Sequence, residues 1–241
     1  MTELSLKNKV VVITGASRGI GMALAKQLLD EECLLALCAR TAPDLHRPAA
    51  PGAVLTGSCD VADPESVERF FLAVKRDFGH IDFLINNAGR AHEMNPVAQL
   101  PVEVWQQTVN INLTGPFLCS RAALPMMGRG GMIVNVLSVA AQRVFTGLSA
   151  YNAAKHGALG LTNTMREELR TEGIRVLAMI PGATGTDIWD QFMPEVDRGS
   201  MMRQETVAST IVQAMKMPAD ATMEEIRMTP LIGTLSNRRK S

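Results

Sequence analysis

Short apolar runs alternate with longer stretches of helical period along the whole 241-residue chain. KVVVIT, from Lys9 to Thr14, is rich in β-branched residues and unbroken by polar ones, the pattern of a strand buried on both faces. Comparable runs are LLALCA (Leu34 to Ala39), AVLTG, FLIN (Phe83 to Asn86), GMIVNVL (Gly131 to Leu137) and IRVLAMI (Ile174 to Ile180), with a short last one around Ile226 to Met228. Between them the pattern predicts helices over Ile20 to Asp30, Pro64 to Phe78, Val102 to Met127, Ala150 to Glu172 and Glu205 to Met217. Asp63 offers a capping carboxylate ahead of Pro64 at the first helical position, and Gly79 supplies the stop. Pro116 and Pro125 are irregularities inside the third helical stretch, and TAPDLHRPAAPG, after Arg40, carries three prolines and cannot hold a long helix.

Strands alternating with helices from end to end imply an α/β fold: a doubly wound, Rossmann-type parallel sheet of about seven strands with helices on both faces. No linker or repeat interrupts the alternation, so residues 1–241 are expected to form a single domain, with a cofactor half over about 1–130 and a catalytic and substrate half over about 131–241.

Composition narrows the function classes. With 24 basic and 24 acidic residues, no net field favours nucleic acid or an acidic membrane surface. The apolar runs are too short for a transmembrane helix, and MTELSLKNKV has no signal-peptide pattern, so a cytoplasmic protein is expected. The basic ending NRRKS reads as a solvated tail. Cys33, Cys38, Cys59 and Cys119 show no metal-ligand spacing and read as reduced, buried thiols; most of the 15 methionines read as core filler.

Candidate chemistry sits at two strand ends. TGASRGIG, Thr14 to Gly21, lies at the first strand-to-helix turn. Gly15 permits a tight turn, Gly19 and Gly21 permit close backbone approach, and the helix start offers free N–H groups and a positive dipole end to a pyrophosphate. The spacing is G-x-x-x-G-x-G rather than G-x-G-x-x-G. At the end of the second strand, 19 residues past Gly21, stands Arg40, where an acid would bind a ribose 2′-hydroxyl; with Arg18 inside the glycine turn, the pair favours a 2′-phosphate and thus NADP(H) over NAD(H).

At the other end, Tyr151 is the only tyrosine, and Lys155 follows it at i+4 on the same helix face. Ser138 closes the preceding strand 13 residues earlier. All three fall at the carboxyl edge of the sheet, where open α/β sheets bind ligands. A nearby ammonium favours phenolate, so the tyrosine is expected below its free pKa of about 10 with cofactor bound. It can then pass a proton to or from a carbonyl oxygen, Ser138 can hydrogen-bond that oxygen, and Lys155 can hold the nicotinamide ribose.

Together these motifs resemble the short-chain dehydrogenase/reductase family, of the single-domain type of about 250 residues (an order-of-magnitude length). The resemblance covers essentially the whole chain. In it, Gly15, Ser17, Arg18, Gly19, Ile20 and Gly21 match the cofactor turn, and Asp60 with Val61 matches the adenine contact. Asn87, Ala88 and Gly89 belong to the fourth-strand motif NNAG. Pro181, Gly182, Thr184 and Thr186 match the segment that embraces the nicotinamide, with Thr186 as the carboxamide partner. Asn112, which in the family bends a helix and anchors a proton-relay water, joins Ser138, Tyr151 and Lys155 as the catalytic tetrad. The family also implies a small-molecule carbonyl or alcohol substrate and a homodimer or homotetramer paired through the helices near 102–127 and 150–172.

Two departures are visible: the proline-rich segment after Arg40, where a helix is expected to be truncated or lost, and the absence of the V-D-G-G ending common in 3-oxoacyl carrier-protein reductases. That reductase is the alternative reading. It calls for a basic patch near the pocket mouth, for which Arg121, Arg129 and Arg143 are candidates. A non-catalytic nucleotide-binding sensor is a third reading, opposed by the intact tetrad. By analogy with the family, Ile188 to Arg203 covers the active site, with Trp189, Phe192, Met193, Met201 and Met202 as an apolar wall. Met94, Val144 and Phe145 are expected opposite, with His92 as a surface histidine.

Overall fold

The computed structural model describes residues 4–218 and 220–231. The NRRKS tail lies outside them. Among the described residues, seven strands form one parallel sheet, in the order β3-β2-β1-β4-β5-β6-β7. The strands are β1 (Val10–Thr14), β2 (Leu34–Ala39), β3 (Val54–Ser58), β4 (Phe83–Asn86), β5 (Met132–Val136), β6 (Arg175–Pro181) and β7 (Glu225–Met228). The chain turns back between β1 and β4, which opens a crevice at the carboxyl ends of those strands.

Alternation within β1 shows why the strands are apolar throughout. Val11 and Ile13 face one helical layer and Val12 the other. The first layer is α1 (Gly19–Asp30) with α6 (Gln204–Met215); the second holds α2 (Pro64–Phe78), α4 (Gly115–Ala123) and α5 (Ser149–Leu169). Helix α2 is bounded as its sequence dictates. The Asp63 carboxylate accepts from Glu65 N at 3.1 Å, and Gly79 ends the helix at φ +76°. No helix forms between β2 and β3, as the prolines there require.

The stretch expected as one helix from Val102 to Met127 is divided. Helix α3 (Val102–Val109) runs into a π-turn at Asn110–Thr114 before α4, and a 3-10 turn with Pro125 follows. The Asn112 side chain donates to the Thr108 carbonyl at 2.9 Å, competing with the backbone for that acceptor.

A buried polar chain ties the second layer to the sheet. Asn86 and Asn135 lie opposite each other on β4 and β5, and Asn86 Nδ2 donates to Asn135 Oδ1 at 2.8 Å and to Ser120 Oγ of α4 at 3.0 Å. Asn135 Nδ2 donates in turn to Thr162 Oγ1 of α5 at 2.8 Å.

Candidate active site

The glycine turn is built from close approach. Gly15 and Gly19 adopt φ +64° and +60°, in the region glycine enters freely. A Cβ at Gly15 would lie 2.7 Å from the Ala88 Cα, and one at Gly21 would lie 2.6 Å from Asn87 Nδ2. Thr14 Oγ1 accepts from the backbone N–H of Asn87 and of Ala88, both at 3.1 Å, and Asn87 Nδ2 donates to the Thr14 and Gly15 carbonyls. The ends of β1 and β4 are thereby held together beside the crevice. Helix α1 begins with no side-chain cap and no acid in its first turn, so its first N–H groups and positive end remain available to an anion.

A cavity of about 990 Å³ runs along the carboxyl edge of the sheet. One end is lined by Arg40, Asp60 and Val61 and the middle by Gly15, Ser17, Arg18, Gly19 and Ile20 with Asn87, Ala88 and Gly89. Ser138, Tyr151 and Lys155 lie farther along, with Pro181, Gly182, Thr184 and Thr186. Gly21 and Asn112 are not on the wall. Gly21 packs behind the turn, and Asn112 is buried behind Gly89, where a Cβ would meet Asn112 Oδ1 at 3.1 Å and Lys155 Nζ at 3.8 Å.

Ser138 follows β5 in extended backbone, its Oγ accepting from Ala140 N at 3.1 Å. Tyr151 lies in the first turn of α5 and hydrogen-bonds Ser138. Lys155 is only 4% exposed; its ammonium donates to the Val136 carbonyl at 3.1 Å and sits 5.7 Å from the Tyr151 ring centre. Asn112 Nδ2 donates to the Arg90 carbonyl at 2.8 Å, and its Oδ1 accepts from Arg90 N at 3.3 Å.

Burial dominates the electrostatics. It pulls the Lys155 ammonium from 10.5 down to about 8. It also pushes the Tyr151 phenol above its ordinary 10.0, against the opposing hydrogen bond from Ser138. The expected lowering by Lys155 is therefore not what the protein alone provides: an ammonium this desolvated, bonded to a carbonyl, does not offset the burial of the phenol.

The substrate end is apolar. Trp189 and Phe192 stack at 4.8 Å between ring centres and line the cavity with Met193, facing Met94, Phe145 and Leu148. Four expectations change here. Met201 is buried and Met202 packs on the core while pairing with Thr184, because the chain turns inward at that bridge; neither lines the cavity. Val144 is 79% exposed on the loop outside it. His92 is buried rather than superficial, with Nδ1 at 2.7 Å from the Glu93 carbonyl.

Sequence reasoning also missed Arg90, which lines the cavity and donates to Gln107 Oε1 at 2.6 Å, and Gln191, whose Oε1 accepts from Ala91 N at 3.1 Å. Arg90 directly follows the NNAG run, the only sequence signal for it. The Gln191 contact spans 100 positions, and no local pattern announces it.

A dinucleotide fits these residues: a pyrophosphate has the glycine cradle and the free helix start, and Arg40 lines the adenine end, while the Arg18 guanidinium lies 3.7 Å from the Asp187 carboxylate.

The short chain dehydrogenase family model matches residues 9–197. A sepiapterin reductase of Chlorobaculum tepidum is 34% identical over 242 aligned positions, covering 95% of this chain and 98% of that protein. A 3-oxoacyl-[acyl-carrier-protein] reductase of Synechocystis is 33% identical, over 86% of this chain and 89% of that one. Among solved structures, an alcohol dehydrogenase from Thermococcus sibiricus complexed with 5-hydroxy-NADP superposes with TM-score 0.84 at 28% identity, covering 93% of this chain and 97% of that one.

Proposed function

The chain belongs to the short-chain dehydrogenase family, and from that premise we propose that it is an NADP(H)-dependent oxidoreductase interconverting a ketone or aldehyde with its alcohol. One observation carries this reading: Ser138, Tyr151 and Lys155 share a cavity wall with an uncapped, glycine-rich helix start. Bound NADP(H) supplies or accepts the hydride.

The chain's own groups manage the rest. Tyr151 Oη gives a proton to the carbonyl oxygen during reduction and takes it back from the alcohol in reverse. Ser138 Oγ donates to the same oxygen and stabilises its growing charge. Lys155 holds the nicotinamide ribose. Asn112, whose amide grips both sides of Arg90, positions the Gly89 segment and the relay behind Lys155. Arg40 and Arg18 take the 2′-phosphate, Asp60 and Val61 the adenine, and Pro181, Gly182, Thr184 and Thr186 the nicotinamide face. In this division of labour residues up to about 130 hold the adenosine and pyrophosphate, and the remainder holds the nicotinamide and serves catalysis and substrate.

The apolar wall of Trp189, Phe192, Met193 and Phe145 suits a small or medium hydrophobic carbonyl. The similarity to a carrier-protein reductase keeps a 3-oxoacyl thioester as the second reading. Its basic patch finds little support: Arg121 is in the last turn of α4 and Arg129 precedes β5, both toward the sheet edge away from the cavity, and only Arg143 lies beyond the carboxyl end of β5. Four free, buried thiols fit a reducing compartment such as the cytoplasm.

The test is oxidation of NADPH and NADH against a panel of ketones, aldehydes and a 3-oxoacyl thioester. Tyr151→Phe is expected to lower kcat by about 10²–10⁴-fold. Turnover that survives this substitution unchanged refutes the catalytic assignment, and NADPH binding without turnover of any carbonyl supports a sensor.

A further inference from the structure

The peptide group between Arg90 and Ala91 is held from both sides. Its carbonyl accepts from Asn112 Nδ2 at 2.8 Å, and its N–H donates to Gln191 Oε1 at 3.1 Å. A trans peptide directs these two groups oppositely within one rigid plane, so an atom that fixes the N–H also aims the carbonyl. Ala91 has no exposed surface, and a buried N–H needs an acceptor. Gln191 supplies it from 100 positions away.

Gln191 ends the short turn Asp187–Gln191, which follows β6 and carries Trp189 of the apolar wall. The Trp189 indole N–H donates to the Thr184 carbonyl at 2.8 Å, so the turn is moored to the loop after β6 as well as to the one after β4. In the sheet β5 lies between those two strands, and Ser138 follows β5. The Gln191 bond therefore joins the loops that flank the Ser138 hydroxyl.

On the far side of the peptide, the Asn112 amide is fully engaged. Its Oδ1 accepts from Arg90 N at 3.3 Å, and its Nδ2 donates to the Thr108 carbonyl at 2.9 Å as well as to Arg90. Gly89 lies between this amide and the ammonium: a Cβ there would meet Asn112 Oδ1 at 3.1 Å and Lys155 Nζ at 3.8 Å. The Arg90 guanidinium ties the same segment to α3 through Gln107 Oε1 at 2.6 Å.

We propose that Gln191 is a positioning residue of the proton relay. Through the Arg90–Ala91 peptide it sets Asn112 beside Lys155, so that closing the substrate loop and assembling the relay are one event. Hydrogen bonds in series through a peptide strengthen one another, and losing the Gln191 acceptor weakens the Asn112 contact too. The relay's role rests on the function proposed above; the tether does not.

The test compares the full-length parent with two variants. Gln191→Leu keeps the bulk and removes the acceptor, and Gln191→Glu restores an acceptor oxygen at the same reach. Residue-resolved amide exchange by NMR is expected to speed up about tenfold in Gln191→Leu at Ala91 and, because Asn112 loosens with it, at Arg90, and to return toward the parent in Gln191→Glu. With acetophenone and NADPH, Gln191→Leu is expected to lower kcat roughly 10–100-fold and leave KM for NADPH within about twofold. Its solvent deuterium isotope effect should rise, and Gln191→Glu should recover most of the rate. Unchanged exchange at Ala91, or faster exchange at Ala91 with none at Arg90, overturns the proposal. A loss confined to KM for acetophenone, or one that Gln191→Glu does not recover, also overturns it. A parent that oxidises no NADPH with any ketone refutes the oxidoreductase reading instead, and the two exchange rates still decide whether Gln191 sets Asn112.

Discussion

Lys155 Nζ donates to the Val136 carbonyl at 3.1 Å, so a lysine of α5 is anchored to the strand end that leads into Ser138. The bond fixes the ammonium but does not repay its burial. Between about 8 and 10.5 the folded chain binds fewer protons here than the unfolded chain, so the Lys155 contribution to stability rises with pH through that window. Below it, the buried charge is carried at full cost. Lys155→Met is therefore expected to stabilise the cofactor-free protein by about 1–2 kcal/mol near neutral pH while abolishing turnover. Urea unfolding of both proteins checks this; the gain should shrink as pH rises toward 10.5.

Because Tyr151 is the only tyrosine, the phenolate absorbance of the folded protein reports on it alone. Without cofactor it is expected to ionise above 10.0, where burial holds it. Ser138→Ala removes the hydrogen bond that opposes burial and should move the titration higher still. Addition of oxidised NADP, which brings positive charge to the site, should move it down. A titration that ignores both changes would separate Tyr151 from Ser138 and from the nicotinamide.

Arg40 lines the adenine end of the cavity, and its carbonyl is held by Ser58 Oγ at 2.7 Å. Arg40→Asp is expected to raise KM for NADPH relative to NADH by roughly 10–100-fold, the equivalent of a lost charged hydrogen bond plus repulsion. Steady-state kinetics with both cofactors decides, and an unchanged ratio assigns the 2′-phosphate elsewhere.

Gly15 and Gly128 offer a matched comparison. A Cβ at Gly15 strikes backbone at 2.7 Å in a φ +64° conformation, whereas one at Gly128 meets nothing within 4 Å. Gly15→Ala is expected to lower stability by about 1–3 kcal/mol and abolish NADPH binding, with Gly128→Ala within about 1 kcal/mol of the parent. Thermal unfolding with and without NADPH measures both.

Phe117 on α4 and Trp105 on α3 leave large apolar surfaces 46% and 40% exposed. If these helices pair across subunits, light scattering will give a dimer or tetramer mass, and Phe117→Glu will shift it toward the monomer.

Much of this was legible in the chain itself. The β-branched run at Val10–Thr14 and the Asp63-Pro64 helix start act through neighbours in sequence, and both elements formed where the pattern placed them. Most residues chosen for the cofactor line one cavity, because they follow the carboxyl ends of strands that the sheet order brings together, while Gly21 packs behind the turn. What was missed depends on contacts between distant segments. His92 is polar in sequence yet buried by its loop, and Met201 is buried beside the bridge that Met202 makes to Thr184. The upward push that burial gives the Tyr151 phenol in the cofactor-free chain was not legible either: sequence shows the neighbouring charge, but not the desolvation of the group.

The Asn86–Asn135–Thr162 chain acts as an alignment key for the sheet. Parallel strands of nearly uniform aliphatic residues carry little to forbid slippage, since one valine replaces another at small cost. If β5 slid by one position, Asn135 would turn into the opposite layer, among Ile85, Leu177 and Met179, and its amide and hydroxyl partners would be left on the other face. The penalty of a stranded amide thus singles out one pairing of β4 with β5 from several of similar apolar content. Ser138 stands three residues beyond Asn135, so the same key sets the position of the reacting hydroxyl.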